Sequence, residues 1–201
     1  MALITAAEAR VYLPDLSGSG EDATLDVLIA RASEHIARAC GYPAPTTGGT
    51  PTMESTSYVR YYDPTRAVQG DALTLGIWPV TAVSAVYDDP DEDYGASTEV
   101  LSSAWTLVGD RGVIRIKPTA YHSWSSYGQR TIKVAFTAGY ATIPVGVKDA
   151  TARTVRDLWA SRRTPLASTQ QDPGRGPLAS EVLAMLQPYR IPAGVLYQGE
   201  P

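Results

Sequence analysis

Residues 131–163 read TIKVAFTAGYATIPVGVKDATARTVRDLWASRR, and this stretch decides the fold. Its first part has the period-two alternation of a half-buried strand, carried by Ile132, Val134 and Phe136. Gly139 can adopt the positive φ of a turn, and Pro144 suits the first turn of a helix because no partner is needed there for its missing N–H. The stretch therefore predicts a strand that passes through a short turn into a helix.

Helical periodicity predicts the rest of a helical core. After Pro144, apolar or small side chains recur at helical spacing at Val147, Thr151, Val155 and Leu158. An upstream helix carries the stripe Leu25, Leu28, Ile29, Ala32, Ile36 and Ala39, and Gly41 and Pro43 end it. A shorter helix over residues 6–13 is predicted before it, with Thr5 and Glu8 as a capping box.

Short strand-like runs separated by turn residues occupy the middle of the chain. They are Ser57–Tyr62, Ala72–Leu75, Thr81–Tyr87, Trp105–Val108, Val113–Ile116 and Gln129–Thr137. This spacing predicts a small antiparallel sheet or a partial barrel. The fold class is therefore α+β, a small bundle of N- and C-terminal helices with an inserted antiparallel β module.

The chain divides into five predicted parts. N-terminal helices of the core occupy 1–45, the β module 50–140, and the core helix 141–163. A linker at 164–176 then leads to a C-terminal docking helix and apolar tail at 177–201. A helix beyond a polar linker is a candidate for docking onto another chain, and the alternative is that it packs back on its own domain.

Composition excludes several classes of protein. The 201 residues include one cysteine and two histidines, too few for a disulfide framework or a histidine-built metal site. No apolar run approaches the roughly 20 residues of a membrane span, and the N-terminus does not read as a signal peptide. The net charge of −4 argues against general nucleic-acid binding. Twelve tyrosines against one phenylalanine suit surfaces that a partner partly covers.

One dense carboxylate cluster stands out, formed by Asp88, Asp89, Asp91, Glu92 and Asp93. Pro90 and the absence of a central glycine break the pattern of a calcium loop. The open interpretations are a solvated hairpin loop, a surface that repels DNA and, against this broken pattern, a metal site.

Two further stretches invite a chemical interpretation. The loop at 122–126 contains His122 and three serines but lacks the strand–serine–helix context of a nucleophile elbow. The arginines of the third helix, Arg153, Arg156, Arg162 and Arg163, suit phosphate, an acidic partner or a solvated helix end. No catalytic or cofactor-binding constellation emerges, which predicts a non-enzymatic scaffold without cofactors.

Five pieces of the chain, taken in order, resemble the head–tail connector (adaptor) proteins of tailed phages, including gene-transfer-agent and prophage adaptors. The pieces are ALITAAEARVYL (2–13), TLDVLIARASEHIARACGY (24–42), LTLGIWPVTAVSAVY (73–87), IKVAFTAGYATIPVGVKDATARTVRDLW (132–159) and LAMLQPYR (183–190). The resemblance implies a structural virion protein at the head–tail interface, made in the host cytoplasm. Such adaptors form a ring, usually of twelve subunits, beneath the portal; the ring extends the DNA channel and joins head to tail.

The resemblance also implies partners and contact residues. The partners are sister subunits, the portal protein and the next neck, stopper or tail protein, with packaged DNA passing through without specific binding and no membrane involved. The residues that would dock on the portal are Leu178, Val182, Leu183, Leu186, Tyr189, Ile191, Val195, Leu196 and Tyr197. Candidates for inter-subunit or channel contacts are Asp88, Asp89, Asp91, Glu92, Asp93, Arg153 and Arg156.

Two alternatives stay open. One is a different neck role, as a stopper or tail-completion protein. The other is a β module that binds glycans or a host surface through Trp105, Tyr121, Trp124 and Tyr127.

Overall fold

A computed structural model describes residues 2–13, 16, 20–163 and 178–191, and they form two compact units. The first unit comprises Met1–Pro43, Thr50–Glu54 and Thr142–Arg190; the second comprises Ala44–Gly49, Ser55–Ala141 and Ile191–Pro201. Helices dominate the first and two antiparallel sheets the second, so the predicted α+β class is confirmed.

In its described residues the first unit contains four α-helices: α1 (Ala6–Arg10), α2 (Asp22–Ala39), α4 (Val145–Arg163) and α5 (Ser180–Leu186). The predicted capping box is present, because Thr5 Oγ1 accepts from the Glu8 N–H and the Glu8 carboxylate accepts from the Thr5 N–H. The first helix nevertheless ends at Arg10, shorter than the predicted range to residue 13, and the next two residues form a turn.

The core of the first unit joins α1, α2 and α4. Its buried members are Ile4, Ala9, Leu13, Leu25, Ile29, Ala32, Ala152, Val155 and Trp159. The apolar stripe of α2 therefore faces inward as predicted. Gly41 adopts a φ of +80° and lets the Tyr42 N–H donate to the carbonyl of Ala37 at 2.9 Å, which closes α2.

The described part of the second unit contains two sheets, where the sequence predicts a single small sheet or a partial barrel. The three-stranded sheet has the order β1–β7–β4, from β1 (Thr56–Tyr62), β7 (Ile132–Ala138) and β4 (Val80–Asp88). The four-stranded sheet has the order β2–β3–β6–β5, from β2 (Val68–Gln69), β3 (Ala72–Thr74), β6 (Val113–Ile116) and β5 (Trp105–Val108). A short helix, α3 (Pro64–Ala67), follows β1. The turn chemistry predicted the strands, but the pairing that separates them into two sheets depends on long-range contacts.

The alternation of β7 matches its burial. Ile132, Val134, Phe136 and Ala138 are buried, and the residues between them are half-buried. The central strand thus has one face on the core and one turned outward. Its register places Lys133 between Tyr61 of β1 and Tyr87 of β4.

Among the described helices, none is long and apolar enough to cross a bilayer.

Candidate functional site

The acidic loop is organised by the buried carboxylate of Asp89, which is 3% exposed. Its Oδ1 accepts from the N–H of Asp91 at 3.0 Å, and its Oδ2 accepts from the N–H of Tyr94 at 2.7 Å and from the hydroxyl of Thr98 at 3.2 Å. Burial pushes the pKa of Asp89 upward, but these donors outweigh it and the pKa lies below its ordinary value. Asp89 therefore shapes the loop and offers no charge to a partner.

The carboxylate of Asp88 is also buried and bonded within the protein. Its side chain is 3% exposed, and its Oδ2 accepts from the N–H of Ser125 at 2.9 Å and lies 3.3 Å from His122 Nε2. The other three carboxylates, on Asp91, Glu92 and Asp93, are exposed. The described residues contain no group of three ligands that could hold a metal ion. Only the three exposed carboxylates thus remain as candidates for contact with another subunit or for a charged surface.

An aromatic and cationic cluster fastens the acidic loop to the three-stranded sheet. The ring of Tyr94 lies 5.3 Å from that of Tyr61, and its hydroxyl donates to the carbonyl of Arg130. The Arg130 guanidinium lies 4.5 Å from the Tyr61 centroid, while Lys133 lies 5.1 Å from the Tyr94 centroid and 5.4 Å from that of Tyr87. Burial raises the pKa of Tyr94 to about 12.

The backbone around this cluster is strained. Glu92, Tyr94 and Arg130 have φ values of +60°, +50° and +55°, in the left-handed region that disfavours residues other than glycine. The contacts of the Tyr94 ring and hydroxyl, together with an Arg130 N–H bond to Asp63 Oδ1 at 2.7 Å, hold this conformation. Sequence reasoning missed the cluster, because the only signal was the tyrosines themselves and the register that aligns them was not visible.

The tyrosine- and tryptophan-rich loop does not assemble a single aromatic surface. Trp124 is buried and its indole N–H donates to the carbonyl of Asp71 at 3.0 Å. Trp105 is half-buried and donates to the carbonyl of Val100 at 3.2 Å. Only Tyr121 and Tyr127 of the four candidate glycan-binding residues are exposed. Within the described residues, no hydrogen bond joins His122 to a serine hydroxyl, so its neighbourhood shows no catalytic pairing.

A depression of about 370 Å³ lies beside this loop, lined by residues 99–101, 103–104 and 119–122. The exposed side chains of Leu101 and Tyr121 are part of its lining. The titratable side chains that line it are Glu99, Tyr121 and His122, and no hydrogen bond among them is described.

Most described cations of α4 are paired within the first unit. Arg153 forms an ion pair with Glu181, and Arg162 lies 3.2 Å from Glu21 and stacks over Trp159 at 4.2 Å. Arg156 is half-exposed and lies 3.4 Å from its neighbour Asp157. The side chain of Arg163 is outside the described residues. The helix thus offers less free positive charge than its sequence suggests.

The C-terminal helix α5 packs on α4, and three of the predicted docking residues, in and just before this helix, are buried within the chain. Leu178, Val182 and Leu186 are buried, while Leu183 and Tyr189 are half-buried. A Cβ at Gly146 would lie 2.9 Å from the Tyr189 hydroxyl oxygen, so the tyrosine sits directly on this glycine in the first turn of α4. Ile191 is buried as well, and Val195, Leu196 and Tyr197 lie outside the described residues.

The chain has the fold of solved proteins from gene transfer agent (GTA) particles. One is in the neck of an empty GTA particle computed with C6 symmetry, with a TM-score of 0.60 and 23% identity over 99% of this chain and 94% of the other. Another is in the neck of a native particle computed with C12 symmetry, with a TM-score of 0.54 and 21% identity over 98% and 97%. A third is in the virion of the native particle, with a TM-score of 0.56 and 23% identity over 99% and 94%.

The sequence matches no protein-family model and no curated protein. The agreement with the three solved structures confirms, at the level of the fold, the resemblance that the five sequence pieces indicate.

Proposed function

We propose that this chain is a structural subunit of a particle neck, a head–tail connector that forms a ring beneath the portal. The observation that carries the proposal is the agreement of the fold over 99% of the chain with a protein from a GTA neck. The agreement covers both the helical unit and the two-sheet unit, so it extends beyond a common supersecondary motif. In this role the protein acts in the virion and is not an enzyme.

A closed ring is consistent with the symmetry of the related particles, whose necks were computed with C6 and C12 symmetry. Ring closure requires two different surfaces of one subunit to meet. Exposed apolar side chains are available for such contacts at Val11, Val27, Val145, Leu101, Tyr121 and Tyr127. Twelve subunits is the proposed stoichiometry.

The charge distribution suits a channel through which DNA moves. Tight binding of DNA requires unpaired lysine and arginine side chains that replace its counterions. Here Lys148, Arg153 and Arg162 are paired with carboxylates of the same unit, and the exposed acidic side chains Asp91, Glu92 and Asp93 would repel phosphate. Packaged DNA would therefore pass without specific binding.

The C-terminal segment is the proposed contact with the portal. The apolar residues of this segment that we propose for the contact are Leu178, Val182, Leu183, Leu186, Tyr189, Ile191, Val195, Leu196 and Tyr197. Sedimentation and electron microscopy of the full chain mixed with its cognate portal protein test the proposal, and we expect a ring bound to the portal. Absence of both co-sedimentation and rings would refute it.

A stopper or tail-completion role is the second candidate, because the structural relatives are described only as components of a neck or virion. Localisation in the intact particle separates the two roles. A ring in direct contact with the portal supports the connector, and a ring further down supports the alternative.

A further inference from the structure

The helix α5 is too short to be stable by itself. It has seven residues, Ser180–Leu186, and isolated helices of that length do not persist in water. Its backbone order therefore depends on burial of one apolar face. In the single chain α5 packs on α4, and Val182 and Leu186 of the helix are buried, as is Leu178 just before it.

Two polar or close contacts hold α5 and the turn after it in place. Glu181 forms an ion pair with Arg153 of α4. Tyr189 follows α5 and its ring atom Cε2 lies 3.3 Å from the Cβ position of Gly146, where any larger side chain would collide with it. The contacts thus run from the first turn of α4 at Gly146 to the middle of the helix at Arg153.

The same side chains cannot be buried within their own subunit and against a partner at once. Resting on the proposed function, we infer that α5 is a self-inhibitory strap, which occupies α4 in the free subunit and must leave it before Leu178, Val182 and Leu186 can dock on the portal. The connection permits this movement, because 14 residues, 164–177, separate α4 from Leu178 and a chain of that length can span at most roughly 50 Å.

The strap has a consequence for assembly. A subunit whose docking face is covered keeps its apolar residues away from water and from wrong partners until the portal competes for them. The measured association constant for the portal is then the intrinsic constant multiplied by the fraction of subunits in which the strap is open.

A covalent bridge between α4 and α5 tests the inference. In a Cys40→Ala background, Arg153→Cys and Glu181→Cys place two thiols at the ion pair, and a short bis-maleimide joins them. The matched control carries Arg10→Cys and Asp22→Cys, which bridges the ion pair between α1 and α2 in the same unit without touching α5. Binding of each full-length chain to the cognate portal protein is measured before and after bridging.

We expect the α4–α5 bridge to weaken portal binding by about tenfold or more, while the control bridge leaves it unchanged. Equal binding by the bridged and unbridged α4–α5 variants would overturn the strap. A bridge that joins two neighbouring subunits in an assembled ring would overturn it too, because α5 would then lie on the α4 of another subunit. A wild-type chain that binds no portal would refute the proposed function itself, and the strap with it.

Discussion

Lys148 Nζ lies 2.6 Å from Glu8 Oε1, and this contact joins the first turn of α4 to α1. The hydrogen bond from Lys148 is the largest of several effects that lower the pKa of Glu8 from 4.5 to about 2; the Thr5 N–H of the capping box also contributes. One carboxylate thus serves both as a cap for its own helix and as a link to a helix 140 positions away in the sequence.

The pH dependence of stability follows from that carboxylate. Since the folded-state pKa is depressed, the stabilisation is present above pH 4.5 and is lost as the pH falls towards 2. Glu8→Gln preserves a capping-box acceptor but removes the charge, and we expect a loss of about 0.5–1 kcal/mol at pH 7, because both partners are over a third exposed and the pair is screened. Urea unfolding between pH 2 and 7 measures it, with Lys148→Met as the matched partner variant. An unchanged pH profile in Glu8→Gln would contradict this assignment.

Two glycines between β5 and β6 should be intolerant of any side chain. A Cβ at Gly112 would lie 2.1 Å from the carbonyl oxygen of Ile77, and at Gly109 2.3 Å from that of Val80. Gly112 also has a φ of +60°. We expect either substitution by alanine to cost about 2–4 kcal/mol in the free energy of unfolding. Gly95→Ala is the control, since its nearest neighbour is 4.0 Å away, and equal unfolding midpoints for Gly95→Ala and Gly112→Ala would show the prediction to be wrong.

The acidic loop should lose its shape when Asp89 loses its charge. Because the pKa of Asp89 lies below its ordinary value of 3.8, the carboxylate is charged and keeps its hydrogen bonds at every pH above 3.8. These hydrogen bonds are lost as the pH falls through the lowered pKa. In Asp89→Asn, an amide NH₂ would face the donors of the loop, so exchange of the Tyr94 amide proton should accelerate by about tenfold or more at neutral pH. Asp91→Asn, at an exposed position of the same loop, should leave that rate unchanged. Slow exchange in both variants would show that other contacts maintain the loop.

Cys40 should be inert in the folded chain. It is fully buried, and burial raises the pKa of its thiol to about 11, with Arg190 acting in the opposite direction. At pH 8 the thiolate is then about 100-fold rarer than for an ordinary thiol, in addition to being inaccessible. A disulfide reagent that reports thiols by absorbance should react with Cys40 only in guanidinium chloride. Ala30→Cys, exposed on the same helix, supplies the reactive control, and rapid reaction of native wild-type protein would exclude this packing.

The candidate contact residues show where sequence reasoning reached its limit. The acidic run was visible as a pattern, but carboxylates two positions apart have opposite roles: Asp89 is an internal acceptor and Asp91 is exposed. The spacing of charges says nothing about which backbone donors a turn will bring to one oxygen. The proposed docking residues Leu178, Val182 and Leu186 were likewise recognisable as one apolar face, but their burial within the chain is not encoded locally.

The sequence by itself determined the order and type of the main elements. The alternation of β7, the stripes of α2 and α4, and the capping box at Thr5 were readable because local periodicity must match the side that faces the core. Only the tertiary structure decided that the strands form two sheets, that Tyr61, Lys133 and Tyr87 stand in one row, and that α5 lies on α4. These depend on contacts between residues far apart in the chain, whose selection rests on the packing of the whole unit rather than on the pattern of any one segment.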